Sequence, residues 1–239
     1  MKNLVILSGA GMSAESGIST FRDAGGLWDK YPVEQVATPE GYARNPELVI
    51  NFYNERRKQL LDVVPNAGHL GVADLERDFN VTVVTQNVDN LHERAGSTHV
   101  IHLHGELTKV CSSRDPYNPH FVKELAPEEY EVKLGDKAGD GTQSPPVSSC
   151  GLASRCRRLR LPSGMVEQAD IFVIIGTSLN VYPAAGLLNY VPRAAEVYLI
   201  DPKPVDTHVM RPIHVIQKGA SEGVKELKAL LTVTQPPLP

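Results

Sequence analysis

Apolar residues along the chain fall into short runs separated by longer amphipathic stretches. The runs lie at 4–7, 81–85, 100–104, 171–176, 197–201 and 214–217, and several are rich in Val and Ile. Continuous apolar runs of this length suit strands buried on both faces, and so predict a parallel sheet covered on each side. Between them, the patterns over 46–63, 68–77, 89–94, 183–190 and 221–231 predict helices. The last opens with Ser221 as a candidate N-cap and carries Glu222 in its first turn. Strand and helix alternate, which predicts an α/β fold: a doubly wound parallel sheet of the Rossmann-like kind.

Two stretches break the alternation. Residues 25–66 are mostly helical in pattern, and 109–165 contain the loop-like KLGDKAGDGTQSPPVSS without strong periodicity. Both read as a smaller module inserted into one unit spanning 1–239. The Rossmann-like core is then drawn from 1–24, 67–108 and 166–233, with a helical insert at 25–66 and a small module at 109–165. The tail, 234–239, carries three prolines and is expected to be disordered.

Composition narrows the partners. At 239 residues, with 41% hydrophobic and 22% charged residues, the chain has the make-up of a globular protein with a full core. A formal charge of −4 gives no electrostatic case for a nucleic-acid partner. The start, MKNLVILSGAG, has too short an apolar run for a secretory leader. No run approaches the roughly 18 apolar residues of a membrane span. A cytoplasmic protein with no membrane partner is therefore expected. The three cysteines, Cys111, Cys150 and Cys156, form no C-x-x-C, which argues against a disulfide framework and against a four-cysteine zinc site.

The candidate chemistry sits at the ends of the predicted strands. Gly9-Ala10-Gly11-Met12-Ser13-Ala14 fits G-x-G-x-x-G/A directly after an apolar run. Glycines there allow a tight turn and close approach of a pyrophosphate to the backbone. Alone, the match fits a plain tight turn equally well. A hydride-transfer fingerprint also wants an acidic residue about 20 positions on, at the end of the second strand. Here 21–28 read FRDAGGLW, a loop, so the turn suits a dinucleotide but not hydride transfer.

His104 closes the run 100–104 ahead of Gly105, where doubly wound folds place ligands. His102, two residues earlier on a strand, points to the same side. A general base, a satisfied structural histidine and an H-x-H metal pair all fit. Gln86, Asn87 and Asp89 follow the run 81–85, as ligand groups or as caps of the next helix. Tyr53 and Arg56 share a helix face, although an Arg within Arg56-Arg57-Lys58 is more often a solvated charge.

Four longer stretches settle between these readings. GAGMSAESGISTFR (9–22), TQNVDNLHERAG (85–96), HLHGEL (102–107) and GTSLNVYPAAGL (176–187) resemble the motifs of the sirtuin family, in the family's order. The resemblance implies an NAD-dependent protein-lysine deacylase of the bacterial branch, with NAD consumed as co-substrate and acyl-lysine proteins as partners. It carries the general base to His104 and leaves His102 as its packing neighbour. It assigns Gly9, Ala10, Gly11, Ser13, Glu15, Ser16, Thr20, Phe21 and Arg22 to the cofactor. Gln86, Asn87 and Asp89 fall around the nicotinamide and its ribose, Gly176, Thr177 and Ser178 at ribose or phosphates, and Asp201 and Ala220 on the adenosine side.

The family's acidic-acyl branch carries a Y-x-x-R pair that recognises a carboxylate, and FYNERR (52–57) resembles it. Tyr53 and Arg56 are then the substrate-binding pair for succinyl- or malonyl-lysine, with acetyl-lysine also accepted, because a guanidinium fork matches a carboxylate bidentately. The implied chemistry is attack of the acyl oxygen on the nicotinamide ribose, loss of nicotinamide, and proton transfer from a ribose hydroxyl to His104. The acyl group ends on ADP-ribose. Mono-ADP-ribosyl transfer, hydride transfer and a non-catalytic NAD-binding role are the competing readings.

Two departures from the family stand out. Many sirtuins hold zinc with two C-x-x-C pairs, whereas Cys111-Ser112-Ser113-Arg114 lacks the second ligand, so zinc is not expected. At 148–158, SSCGLASRCRR replaces a family segment like LRPFIVWFGE, which pairs with the substrate peptide. Codons for FIVWFGE read one base later spell Ser-Ser-Cys-Gly-Leu-Ala, so a local frame shift accounts for the change, with family-like sequence resuming near Met165. As written, 145–164 make a poor flat edge for an extended peptide. The expectation is that NAD binding persists while deacylation is weakened or lost.

Overall fold

The computed structural model describes residues 1–19, 31–112, 115, 118–137, 146–148, 160–177, 184–205 and 211–233. In chain order the strands are β1 (Asn3–Ser8), β2 (Asn80–Thr85), β3 (Val100–His102), β4 (Lys109–Ser112), β5 (Val122–Glu124), β6 (Pro146–Ser148), β7 (Ile171–Ile175), β8 (Glu196–Ile200) and β9 (His214–Ile216). The helices are α1 (Ala10–Ala14), α2 (Val33–Val36), α3 (Pro39–Arg44), α4 (Pro46–Asp62), α5 (Ala67–Asp74), α6 (Leu91–Arg94), α7 (Arg160–Val166), α8 (Ala184–Leu187) and α9 (Ala220–Val233).

Six strands pair in the order β3-β2-β1-β7-β8-β9, every neighbour parallel. This is a Rossmann-like sheet, and its order reverses between β1 and β7. Alternation along the strands divides the core in two. Leu4, Ile6, Val173 and Ile175 pack on one face against Val72 of α5 and Val224, Leu227 and Leu231 of α9. Val5, Leu7, Phe172 and Ile174 pack on the other against Val166 and Leu187. The side-chain period of two sends each apolar residue to its own helical layer, which is why these runs lack polar positions. α5 and α9 approach closely at Gly71, where a Cβ would lie 2.7 Å from Val224 Cγ1.

Several expected boundaries shift for local reasons. The run 100–104 ends as a strand at His102: Leu103 still donates its N–H to the Thr85 carbonyl at 2.8 Å, but Gly105 then takes φ +79°. The alternation that put His102 and His104 on one side therefore does not extend to His104. The last helix starts at Ala220, so Ser221 lies inside its first turn and is not the N-cap. Its N–H is taken by Glu15 Oε1 at 3.2 Å. The helix expected over 89–94 begins only at Leu91, whose N–H goes to Asp89 Oδ1 at 3.2 Å.

Between β1 and β2 the chain is helical where described. Thr38 caps α3 by accepting the Gly41 N–H, and Asn45 caps α4 by accepting that of Leu48, each with Pro in the first turn. Residues 109–165, expected as a small module without strong periodicity, contain strands in which β4 pairs antiparallel with β5 and with β6. β4 packs Val110 in an apolar cluster with Ile50 of α4 and Val132, and the chain after β5 is tied to the same helix. Asn54 donates to the Val132 carbonyl (2.8 Å) and accepts the Val132 N–H (3.0 Å), while Arg57 Nε donates to the Tyr130 carbonyl (2.7 Å). Among the described residues no helix is long and apolar enough to cross a membrane.

Candidate active site

The glycine turn is an interlock before it is a cradle. Gly9 and Gly11 donate their N–H groups to the carbonyls of Ile175 (3.0 Å) and Gly176 (2.9 Å). A Cβ on Gly11 would stand 2.7 Å from Gly176 Cα, and one on Gly9 2.7 Å from the Gly176 carbonyl oxygen. Gly176 itself has φ +60°. The glycines expected to admit a pyrophosphate are thus required first by the packing of the β1–α1 turn on the end of β7. Together they open the crevice at the carboxyl ends of the strands where the sheet order reverses, the usual ligand position in this architecture.

A buried polar network forms the floor of that crevice. Ser13 Oγ donates to Asp89 Oδ2 at 3.0 Å and accepts from Asn87 Nδ2 at 3.0 Å. Asn87 Nδ2 also donates to the Gly9 carbonyl at 3.0 Å. Gln86 Nε2 bridges to Thr177 Oγ1 at 2.8 Å, joining the ends of β2 and β7. Asp89 is raised in pKa by burial, against the bonds from Leu91 and Ser13 and the charge of His102. Beneath these groups sit two buried imidazoles, His69 and His92, edge to face at 4.9 Å. His69 Nδ1 accepts the Asn66 N–H (3.3 Å), so its proton is on Nε2, facing Ser13 Oγ at 3.5 Å. Burial lowers the pKa of His69 to about 4 and that of His92 well below its ordinary value, so both rings are neutral at pH 7.

Ala10, Ser13, Asn87 and Asp89 line a cleft together with Arg56 and Leu107. Arg56 and Tyr53 are both buried on α4, and the Arg56 guanidinium lies over the Phe52 ring at 5.7 Å. Taken from the residues alone, Arg56 reads as a solvated charge; in the fold it is a buried cation at a cleft wall. His104 and Tyr53 are not among the lining residues. His104 is half-buried beyond the end of β3, makes no hydrogen bond to a described residue, and has its pKa lowered by burial.

Other candidates lie farther out. Glu15 caps α9 through Ser221 and would collide with any side chain at Gly219. Ser16 Oγ accepts from Asn66 Nδ2 at 3.1 Å. Asp201 Oδ1 takes the Lys203 N–H at 2.8 Å, and buried Ala220 opens α9 beside Gly68. Thr20, Phe21, Arg22 and Ser178 lie outside the described residues, as do Cys150, Cys156 and most of 145–164. Sequence reasoning passed over His69, His92 and Glu93. A signal existed for His69: Asn66 three residues earlier forms a reciprocal capping box with it.

A doubly wound sheet with a glycine interlock at its switch point and a polar-floored cleft beside it is the arrangement in which Rossmann-like folds place a dinucleotide. The floor groups are hydroxyl, amide and carboxylate, which suits a hydroxyl-bearing ribose. The chain belongs to the Sir2 family, whose pattern it matches over residues 9–183. It is 77% identical, over 97% of its own length and 98% of the relative's, to a Bacteroides thetaiotaomicron protein named NAD-dependent protein deacylase. A Sir2 homologue solved with NAD superposes with a TM-score of 0.77 at 35% identity, covering 97% of this chain and 90% of that one. A mutant Sir2 homologue in complex with 2′-O-acetyl ADP-ribose gives 0.82 at 34% identity, covering 100% and 95%.

Proposed function

We propose that this chain is an NAD-dependent protein-lysine deacylase of the cytoplasm, releasing nicotinamide and passing the acyl group to ADP-ribose. The observation that carries the reading is the bonded triad Ser13–Asn87–Asp89 on the floor of a cleft that Arg56 also lines. NAD, when bound, supplies an anomeric carbon carrying a good leaving group. Gly9, Ala10, Gly11, Ser13, Gln86, Asn87, Asp89, Gly176 and Thr177 are its proposed binding residues near the crevice. Glu15, Ser16, Asp201 and Ala220 serve the adenosine side, and Thr20, Phe21, Arg22 and Ser178 are assigned from their motifs. His104 is the general base: burial lowers its pKa, so the imidazole is neutral at pH 7 and able to take a proton. Core, helical insert and small module follow the division at 25–66 and 109–165.

The acyl preference we propose is for succinyl- or malonyl-lysine. A buried guanidinium in an otherwise partly apolar cleft attracts a carboxylate more strongly than a neutral acetyl group. A second reading, NAD binding with impaired deacylation, is favoured by the altered segment 145–164. Incubation with NAD and matched acetyl- and succinyl-lysine peptides, following nicotinamide and peptide mass together, tests both. Turnover that falls about 10²–10⁴-fold in His104→Ala supports the deacylase. Loss of the succinyl preference in Arg56→Met supports the selector. NAD binding with no peptide turnover selects the second reading, and no NAD binding at all rejects both.

A further inference from the structure

Behind the loop 86–89 one imidazole has two partners that only accept. His102 is 3% exposed, with Nδ1 at 2.8 Å from the Asn87 carbonyl oxygen and Nε2 at 2.8 Å from Glu93 Oε1. A carbonyl and a carboxylate bring no proton, so a ring that satisfies both carries hydrogen on each nitrogen and is a cation. The alternative is a neutral ring accepting from a protonated Glu93. It is opposed by the Glu93 side chain being 38% exposed. Burial pushes the Glu93 carboxyl up, but the bond and charge of His102, with Lys109, hold it below its ordinary value.

The surroundings balance that charge. Glu93, His102 and Glu106 each bring a polar atom within 4.8 Å of one another, and Glu106 Oε2 is 2.6 Å from Lys109 Nζ. Two carboxylates meet one imidazolium and one ammonium across α6, the end of β3, the following turn and β4. From the cleft side the facing groups are Asp89, which feels the His102 charge, and neutral His92.

We propose that His102 is a positioning residue acting as a buried imidazolium: its Nδ1–H pins the Asn87 carbonyl and so aims the Asn87 amide at Gly9 and Ser13. Asn87 is then held at both ends, by His102 on its backbone and by Gly9 and Ser13 on its side chain. A hydrogen bond from a cation is roughly twice as strong as one from a neutral ring. Burial pulls the His102 pKa down, but the Glu93 bond and charge, the Asn87 carbonyl and Glu106 outweigh it and leave the value raised. The two accepting partners favour the doubly protonated ring, and as pH rises through that raised value the Nδ1–H bond to Asn87 weakens to that of a neutral donor. Nε2 then turns a lone pair on the Glu93 carboxylate, which swings toward solvent.

The inference rests on the cleft being the NAD site only for its functional consequence, and the test separates the two. Long-range proton–nitrogen spectra of the full chain, with His102 assigned by its loss in His102→Gln, are followed from neutral to alkaline pH. The expected result is an imidazolium pattern for His102 at neutral pH, with the Asn87 side-chain resonance moving in step as the ring titrates. In Glu93→Gln the ring is expected to be neutral at the same pH, and NAD, by calorimetry, to bind about three- to tenfold more weakly. Glu93→Asp restores both. A neutral ring in the wild type, an unchanged ring in Glu93→Gln, or an Asn87 resonance indifferent to the titration overturns the proposal. If the wild type binds no NAD at any pH, the proposed function falls, while the His102 and Asn87 resonances still decide the positioning role.

Discussion

The two sheets of this protein differ in how deeply their strands are buried and in what holds them. Every residue of β7 is buried, and each side chain meets a helical layer on its own face. In β5, by contrast, Val122, Lys123 and Glu124 are all exposed; β4 packs Val110 in a small apolar cluster with Ile50 of α4, and polar tethers at Asn54 and Arg57 tie the chain after β5 to the same helix. Apolar burial scales with area and is spread over many contacts, whereas a tether concentrates its effect in a few bonds. The crevice lies at the ends of the more deeply buried sheet. The small sheet, with one exposed strand and a smaller apolar cluster, is expected to open at lower cost.

The sharpest way to break that contrast is at the interlock. Gly176→Ala forces a Cβ to within 2.5 Å of Gly11 C and Met12 N while the backbone sits at φ +60°. The left-handed conformation costs about 1–2 kcal/mol and overpacking about 1–3, so unfolding in urea should show a loss of roughly 2–5 kcal/mol. NAD binding should vanish with it. A wild-type midpoint would mean that the turn and β7 move independently.

Acid is the next lever on the same region. His69 is neutral in the fold with a pKa of about 4, while in the unfolded chain it titrates near 6.5. Between those values the unfolded state binds the proton and the folded state does not, so stability falls as pH drops through 6.5 and stops falling near 4. The span corresponds to roughly 3 kcal/mol. His69→Gln should flatten this part of the pH profile relative to wild type in matched denaturant titrations. Parallel profiles would show that His69 charges freely in the fold.

The parallel sheet was legible because each run of Val and Ile reports burial on both sides without reference to anything distant. The crevice was legible through the glycines and the polar residues that follow β2. What stayed hidden depends on partners far along the chain. Ser8 meets His92, 84 positions away, and Glu15 meets Ser221 across 206. The basic run 56–58 on its own reads as solvated, and only the family resemblance marks Arg56 as a substrate group, because such a run carries no mark of the loop or cleft that covers it. Past the end of β3 at His102, the Leu107 N–H reaches the Val88 carbonyl at 2.7 Å, another contact that local sequence does not show. The strands of the small sheet are three or four residues long, too short for alternation to register.

The tether offers a smaller and more local test. Asn54→Ala removes both bonds to Val132 and the acceptor for Arg57 Nη2 at 2.6 Å. Stranding partly buried polar groups costs about 1–3 kcal/mol. If the small sheet opens as its own unit, hydrogen exchange should quicken around 130–132 and 109–112 while the amides of β1 and β7 stay protected. Equal loss of protection in both sheets would merge them into one cooperative unit and remove the contrast.

The smallest effect belongs to the outer strand itself. Val122 pairs with Cys111 and is 37% exposed, so Val122→Ala surrenders little buried area and part of a strand preference. The expected change in unfolding free energy is below about 1 kcal/mol. The same truncation at Val173, 0% exposed in β7, also leaves a cavity in a packed layer and should cost roughly 2 kcal/mol or more. Because the chemical change is identical, the ratio of the two losses isolates burial from strand propensity. Equal losses would mean that β5 is covered in solution by something that packs on Val122, and the small sheet would then be half of a larger surface.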